Sequence, residues 1–78
     1  MKKAAEKFVL IAYYDASRHG LEFDSKIRGV VGRPEDGAGT NLQTMERDIS
    51  FSFSEESAAK KALSRLKKQK IKAELSAC

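Results

Sequence analysis

The chain of 78 residues has room for one hydrophobic core and not for two. At 41% hydrophobic and 33% charged, it is neither disordered by composition nor built around a membrane span. The formal net charge of +4 is unevenly placed. Residues 60–72 carry seven cations and no anion, leaving eight basic against eleven acidic residues elsewhere.

In chain order, the first feature is the apolar run Phe8–Tyr14 behind Lys2 and Lys3, the outline of a short signal peptide. Glu6 and Lys7 sit directly before the run, Asp15 closes it, and no small-residue cleavage site follows. The run is also far short of the ~20 residues that cross a bilayer. A buried strand explains it better, since it is rich in β-branched and aromatic residues. Being apolar on both faces, it is expected to be central in a sheet, or to meet a partner with its outer face.

Asp15 to Gly20 reads as a polar turn. Leu21 to Val31 then reads as a half-buried strand, with Leu21, Phe23, Ile27 and Val31 inward and Glu22, Asp24, Lys26 and Arg28 outward. The short turn would join these two strands as a hairpin. Residues 32–44, with three glycines and the only proline, read as one long loop in which Arg33, Asp36 and Asn41 are the candidate contact residues.

Met45 to Phe53 alternates again, with Ile49, Phe51 and Phe53 inward and Asp48, Ser50 and Ser52 outward. Ser54 is placed to cap a helix of about fifteen residues, with Glu55 and Glu56 in its first turn. Its apolar stripe is Ala58, Ala59, Ala62, Leu63 and Leu66. Ile71, Ala73 and Leu75 alternate with Lys70, Lys72 and Glu74 as a last strand. The expected architecture is α+β: a four-stranded mixed sheet in the order β-β-β-α-β, with one helix on one face. Residues 1–78 form a single domain in this reading. One helix covers one face, so Val9, Ile11 and Tyr13 would stand on the bare one, and a homodimer or a protein partner is expected there.

Chemistry-bearing patterns are weak. Asp15, Ser17 and His19 fall within five residues, whereas a nucleophilic triad draws its members from separate segments. A polar turn is the plainer account. The glycines at 29, 32, 37 and 39 lack the lysine and the following helix of a phosphate loop. The acidic strand residues offer no convincing metal pair. One cysteine, Cys78, and one histidine, His19, cannot make a four-ligand zinc site in one chain. Neither can a lone cysteine form an internal disulfide, which favours a reducing compartment, the cytoplasm. No catalytic residue, metal or cofactor is expected.

The basic segment is the strongest signal. Lysines late in a helix complement its dipole, and Glu56 can pair with Lys60, but these effects leave part of the charge unexplained. Lys60, Lys61, Arg65, Lys67, Lys68 and Lys72 are therefore the candidate basic surface, suited to an acidic protein or to nucleic-acid phosphates. Hallmarks of sequence-specific nucleic-acid modules are missing. The expected function is that of a small non-enzymatic interaction protein, an accessory, adaptor or inhibitor such as a mobile element carries. The alternative is a nucleic-acid binder that uses the basic helix face.

Overall fold

The computed structural model describes residues 8–20 and 22–77. Its elements are β1 (Phe8–Asp15), α1 (Phe23–Val31), β2 (Gly37–Asn41), β3 (Glu46–Phe53), α2 (Glu56–Lys68) and β4 (Lys72–Ala77). The strands lie in the order β2-β3-β1-β4, and every neighbouring pair is antiparallel. β1 is thus parallel to β2 with β3 between them, and β3 is parallel to β4 with β1 between them. Two interleaved β-α-β units of this kind make the split β-α-β, or ferredoxin-like, topology.

The α+β class and the four-stranded sheet agree with expectation. The one-helix packing, the mixed sheet and the β-β-β-α-β order do not. The expected second strand, 21–31, is helix α1, apart from Leu21, which lies outside the described residues. Alternation fails at Ser25 and Gly29, where it requires apolar side chains. Phe23, Ile27, Val30 and Val31 instead recur at the three-to-four spacing of a helix. Asp24, Ile27 and Val31 are the residues α1 buries.

Within 32–44, residues 37–41 are strand β2. Only two short connections remain of the expected long loop. Asp36 begins the pairing before the strand proper. Its N–H donates to the Ser50 carbonyl (2.8 Å), and its carboxylate accepts from the Ser52 N–H (2.6 Å). Glycine at 37 and 39 hid this strand from propensity, because glycine is depleted in strands and side-chain alternation is unreadable there.

Both helices lie on one face of the sheet. That face carries Leu10, Ala12 and Tyr14 of β1 opposite Phe51, Ile49 and Arg47 of β3. Ile27 and Val31 of α1, and Ala59, Ala62 and Leu66 of α2, close over it. Ala59 and Ala62 are small, which lets α2 approach the strands closely. Phe51, Leu10, Ile27, Ile49 and Leu66 are the largest fully buried side chains. Each is worth about 1.5–3 kcal/mol relative to exposure.

The two helices end differently. α1 stops at Gly32, whose φ of 87° is left-handed and whose N–H donates to the Arg28 carbonyl (2.8 Å). After α2, Lys70 takes the left-handed position with φ 60°. The Lys70 N–H bonds to the Lys67 carbonyl (2.9 Å) and the Ile71 N–H to the Leu66 carbonyl (3.0 Å). Ile71 and Leu66 are both buried. These are the two bonds and the apolar contact of a Schellman cap, with a lysine where glycine is usual.

Candidate interaction surfaces

Strand alternation decides the first surface. Val9, Ile11 and Tyr13 of β1 point to the sheet face that α1 and α2 leave open, and each is partly exposed. β1 is a central strand, so this stripe runs along the middle of the face. On one side Val9 and Ile11 are flanked by Ser52 and Ser50 of β3, with Gly37 of β2 beyond Ser50. On the other side they face Ser76 and Glu74 of β4. Polar groups gather at the Tyr13 end. The Tyr13 hydroxyl donates to Glu74 Oε1 (3.1 Å), and Lys72 Nζ lies 5.4 Å from the ring centroid. Desolvation, and then the Glu74 carboxylate, push the Tyr13 phenol above its usual pKa.

The basic segment does not form one surface. Lys72 is directly opposite Tyr13 in the β1–β4 ladder, so it sits on the open sheet face, away from α2, and pairs with Glu46 at 3.9 Å. On α2 the buried line is Ala59, Ala62 and Leu66. At about 100° per residue, Lys61 and Arg65 fall on one flank of that line, Lys60 and Lys67 on the other, and Lys68 points away from the core. Lys60 pairs with Glu56 one turn earlier at 3.4 Å. Lys61 and Arg65 instead line a groove of about 520 Å³ facing the end of α1, where Arg33, Pro34 and Val31 form the other wall.

Arg33 is the one loop candidate that contributes to such a surface. Its guanidinium sits 4.8 Å from the centroid of the Phe53 ring. Asp36 is engaged with β3, as above. Asn41 closes the β2–β3 hairpin, its side-chain oxygen accepting from the N–H groups of Gln43 (2.9 Å) and Thr44 (3.3 Å).

The Asp15–Ser17–His19 cluster is a local turn. The Ser17 hydroxyl and N–H both donate to Asp15 Oδ1 (2.5 and 2.9 Å), which holds the Asp15 carboxyl below the usual range. His19 instead stacks on Phe23, with ring centroids 4.4 Å apart at 22°. Serine and imidazole therefore have different partners. Beside them is a cleft of about 510 Å³ whose lining includes Tyr13, His19, Phe23, Lys70 and Glu46. Its charges are of both signs and select no ligand.

The best-organised polar cluster is internal. Asp24, expected on a solvated strand face, is 9% exposed. Its carboxylate accepts from Arg47 Nε (3.0 and 3.1 Å), from Arg47 Nη2 (2.7 Å) and from the Tyr14 hydroxyl (2.6 Å). Arg47 also donates from Nη1 to Thr40 Oγ1 (2.9 Å). One network thus joins α1, β1, β3 and β2. The Arg47 guanidinium, aided by Tyr14, holds the Asp24 carboxyl below its usual range, while burial and the Asp24 bond push the Tyr14 phenol up to about 12. A readable signal was missed here. Arg47 shares the inward parity of Ile49, Phe51 and Phe53, and Asp24 lies on the inward helical line of Ile27 and Val31.

No metal-binding group of three or more His, Cys, Asp or Glu side chains occurs among the described residues, and Cys78 lies outside them. Among the same residues no helix is long and apolar enough to cross a membrane. Comparison with protein-family models, curated proteins and solved structures gave no significant match.

Proposed function

We propose that this protein acts without catalysis, through protein–protein contact, and that its open sheet face is a homodimer surface. The observation that supports this is the Val9–Ile11–Tyr13 stripe, which lies on a central strand along the middle of the face that both helices leave open among the described residues. Most of the positions beside its apolar end are serine or glycine, which let a second sheet approach closely. Strands of five to eight residues spaced ~4.8 Å apart present about 430 Å². Two copies face to face bury about 850 Å², the size of a weak, reversible association. The same face suits nucleic acid poorly. β3 offers Asp48, Ser50 and Ser52 outward, where sheet-type RNA readers carry stacking aromatics.

Sedimentation equilibrium tests the proposal. A dimer is expected for the natural chain, and a monomer with an unchanged circular dichroism spectrum for Ile11→Lys. A monomeric natural chain at high concentration, or an Ile11→Lys variant that stays dimeric, overturns it.

A further inference from the structure

The groove between the end of α1 and α2 carries charge of one sign only. Its ionisable lining residues are Arg33, Lys61 and Arg65. None of the three joins an ion pair among the described residues, whereas Lys60, Lys72, Arg28 and Arg47 each do. The cations stand on facing walls: Arg33 beyond the α1 cap, Lys61 and Arg65 one helical turn apart on α2. Between them the lining is apolar, with Val31, Phe53 and Ala62 all buried.

Arg33 is also held in place. Its guanidinium rests on the Phe53 ring, so less side-chain freedom is lost when it binds an anion. The groove therefore offers fixed cations around an apolar floor. That combination matches carboxylates placed on either side of an apolar side chain, since an apolar group gains from the floor and each carboxylate from a wall.

We infer that this groove binds an acidic segment of a partner protein in which an apolar side chain is flanked by carboxylates. Phosphates alone have no use for the apolar floor. The Phe53 ring, buried and covered by Arg33, offers no free face on which a base can stack. Most of the remaining cations of the segment lie elsewhere: Lys60 and Lys67 on the far flank of α2 and Lys72 across the sheet, so that Lys68 alone follows Lys61 and Arg65 along the helix. The groove is on the helix face, so its occupancy is independent of association through the open sheet face.

Fluorescence anisotropy with the full chain tests this inference. The probe is a short end-blocked, fluorescein-labelled peptide with a Leu-Phe pair between two pairs of acidic residues. Saturable binding is expected, weakened about tenfold or more by Lys61→Gln with Arg65→Gln, and also by Arg33→Gln. Lys60→Gln with Lys67→Gln removes the same charge from the other flank of α2 and is expected to change the affinity less than about twofold. A peptide with Gly-Gly in place of Leu-Phe is expected to bind more weakly. Circular dichroism and sedimentation of each variant separate loss of binding from loss of fold or of the dimer. Equal weakening by the two double variants, equal affinity for the Gly-Gly peptide, tighter binding of labelled oligo-dT, or no saturable binding would each overturn it.

Discussion

Tyr14 on β1 and Asp24 on α1 share a 2.6 Å hydrogen bond in which the phenol donates to a carboxylate already gripped by Arg47. The bond fixes the start of α1 against the sheet, beside the packing of the Phe23 ring on Tyr14 (ring centroids 4.7 Å apart). Tyr14 lies directly opposite Arg47 in the β1–β3 ladder, so both partners of Asp24 are set by one register. A one-residue slip of β3 along β1 would turn Arg47 to the open face and leave Tyr14 facing the helices.

Removing the cation from this network should be costly. Arg47→Ala leaves a buried carboxylate without its partner, and a loss of about 3 kcal/mol is expected. That is a large share of the stability of a domain this size. Tyr14→Phe leaves the Arg47 contact in place and should cost about 1 kcal/mol. Urea denaturation of the two variants checks the ranking; an equal effect would show that the ion pair does not dominate.

The same network should limit stability at both ends of the pH range. The folded Asp24 carboxyl titrates below its unfolded value, so its contribution is present above about pH 4 and fades as pH falls through the depressed folded value. Glu35, lowered to about 2 by its two-bond contact with Arg28, adds to the acid-side loss in the same sense. Tyr14 acts in the opposite direction. The folded phenol keeps its proton to about 12 while the unfolded one ionises near 10, so stability falls as pH rises between these values. Denaturation midpoints at pH 9 and 11 should differ more for the natural chain than for Tyr14→Phe.

The two left-handed helix ends predict opposite signs. At Gly32 an added Cβ meets nothing within 4 Å, so Gly32→Ala tests backbone conformation alone. It should destabilise by about 1 kcal/mol. Lys70→Gly relieves the lysine of the same conformation and should stabilise by up to about 1 kcal/mol, raising Tm by about 4–8 °C. Thermal melts of both variants measure this directly.

Salt should separate the two surfaces. Association through Val9 and Ile11 is apolar, and its constant should hold from low salt to about 1 M NaCl. Peptide binding in the cationic groove should weaken steadily over the same range. A dimer that dissociates with salt would place its energy in the rim charges Asp48, Lys72 and Glu74 instead.

Sequence pattern alone determined β1, β3, α2 and β4 within a residue or two, because β1 is a continuous apolar run closed by charge and the other three carry an alternating or helical apolar pattern over most of their length. It also determined that Val9, Ile11 and Tyr13 share a face, since side chains two apart on a strand must. It misassigned 21–31, where four apolar side chains fit two periods unless Ser25 and Gly29 are counted, and it passed over the glycine-rich β2. What tertiary structure decided was adjacency. The uneven charge that marks this sequence looks like one cationic stripe along residues 60–72. Folding divides it, because a helix sends neighbouring residues to different flanks and β4 turns Lys72 to the opposite side of the sheet. The cation that completes the groove, Arg33, comes from far along the chain, brought to Lys61 and Arg65 where the end of α1 meets α2.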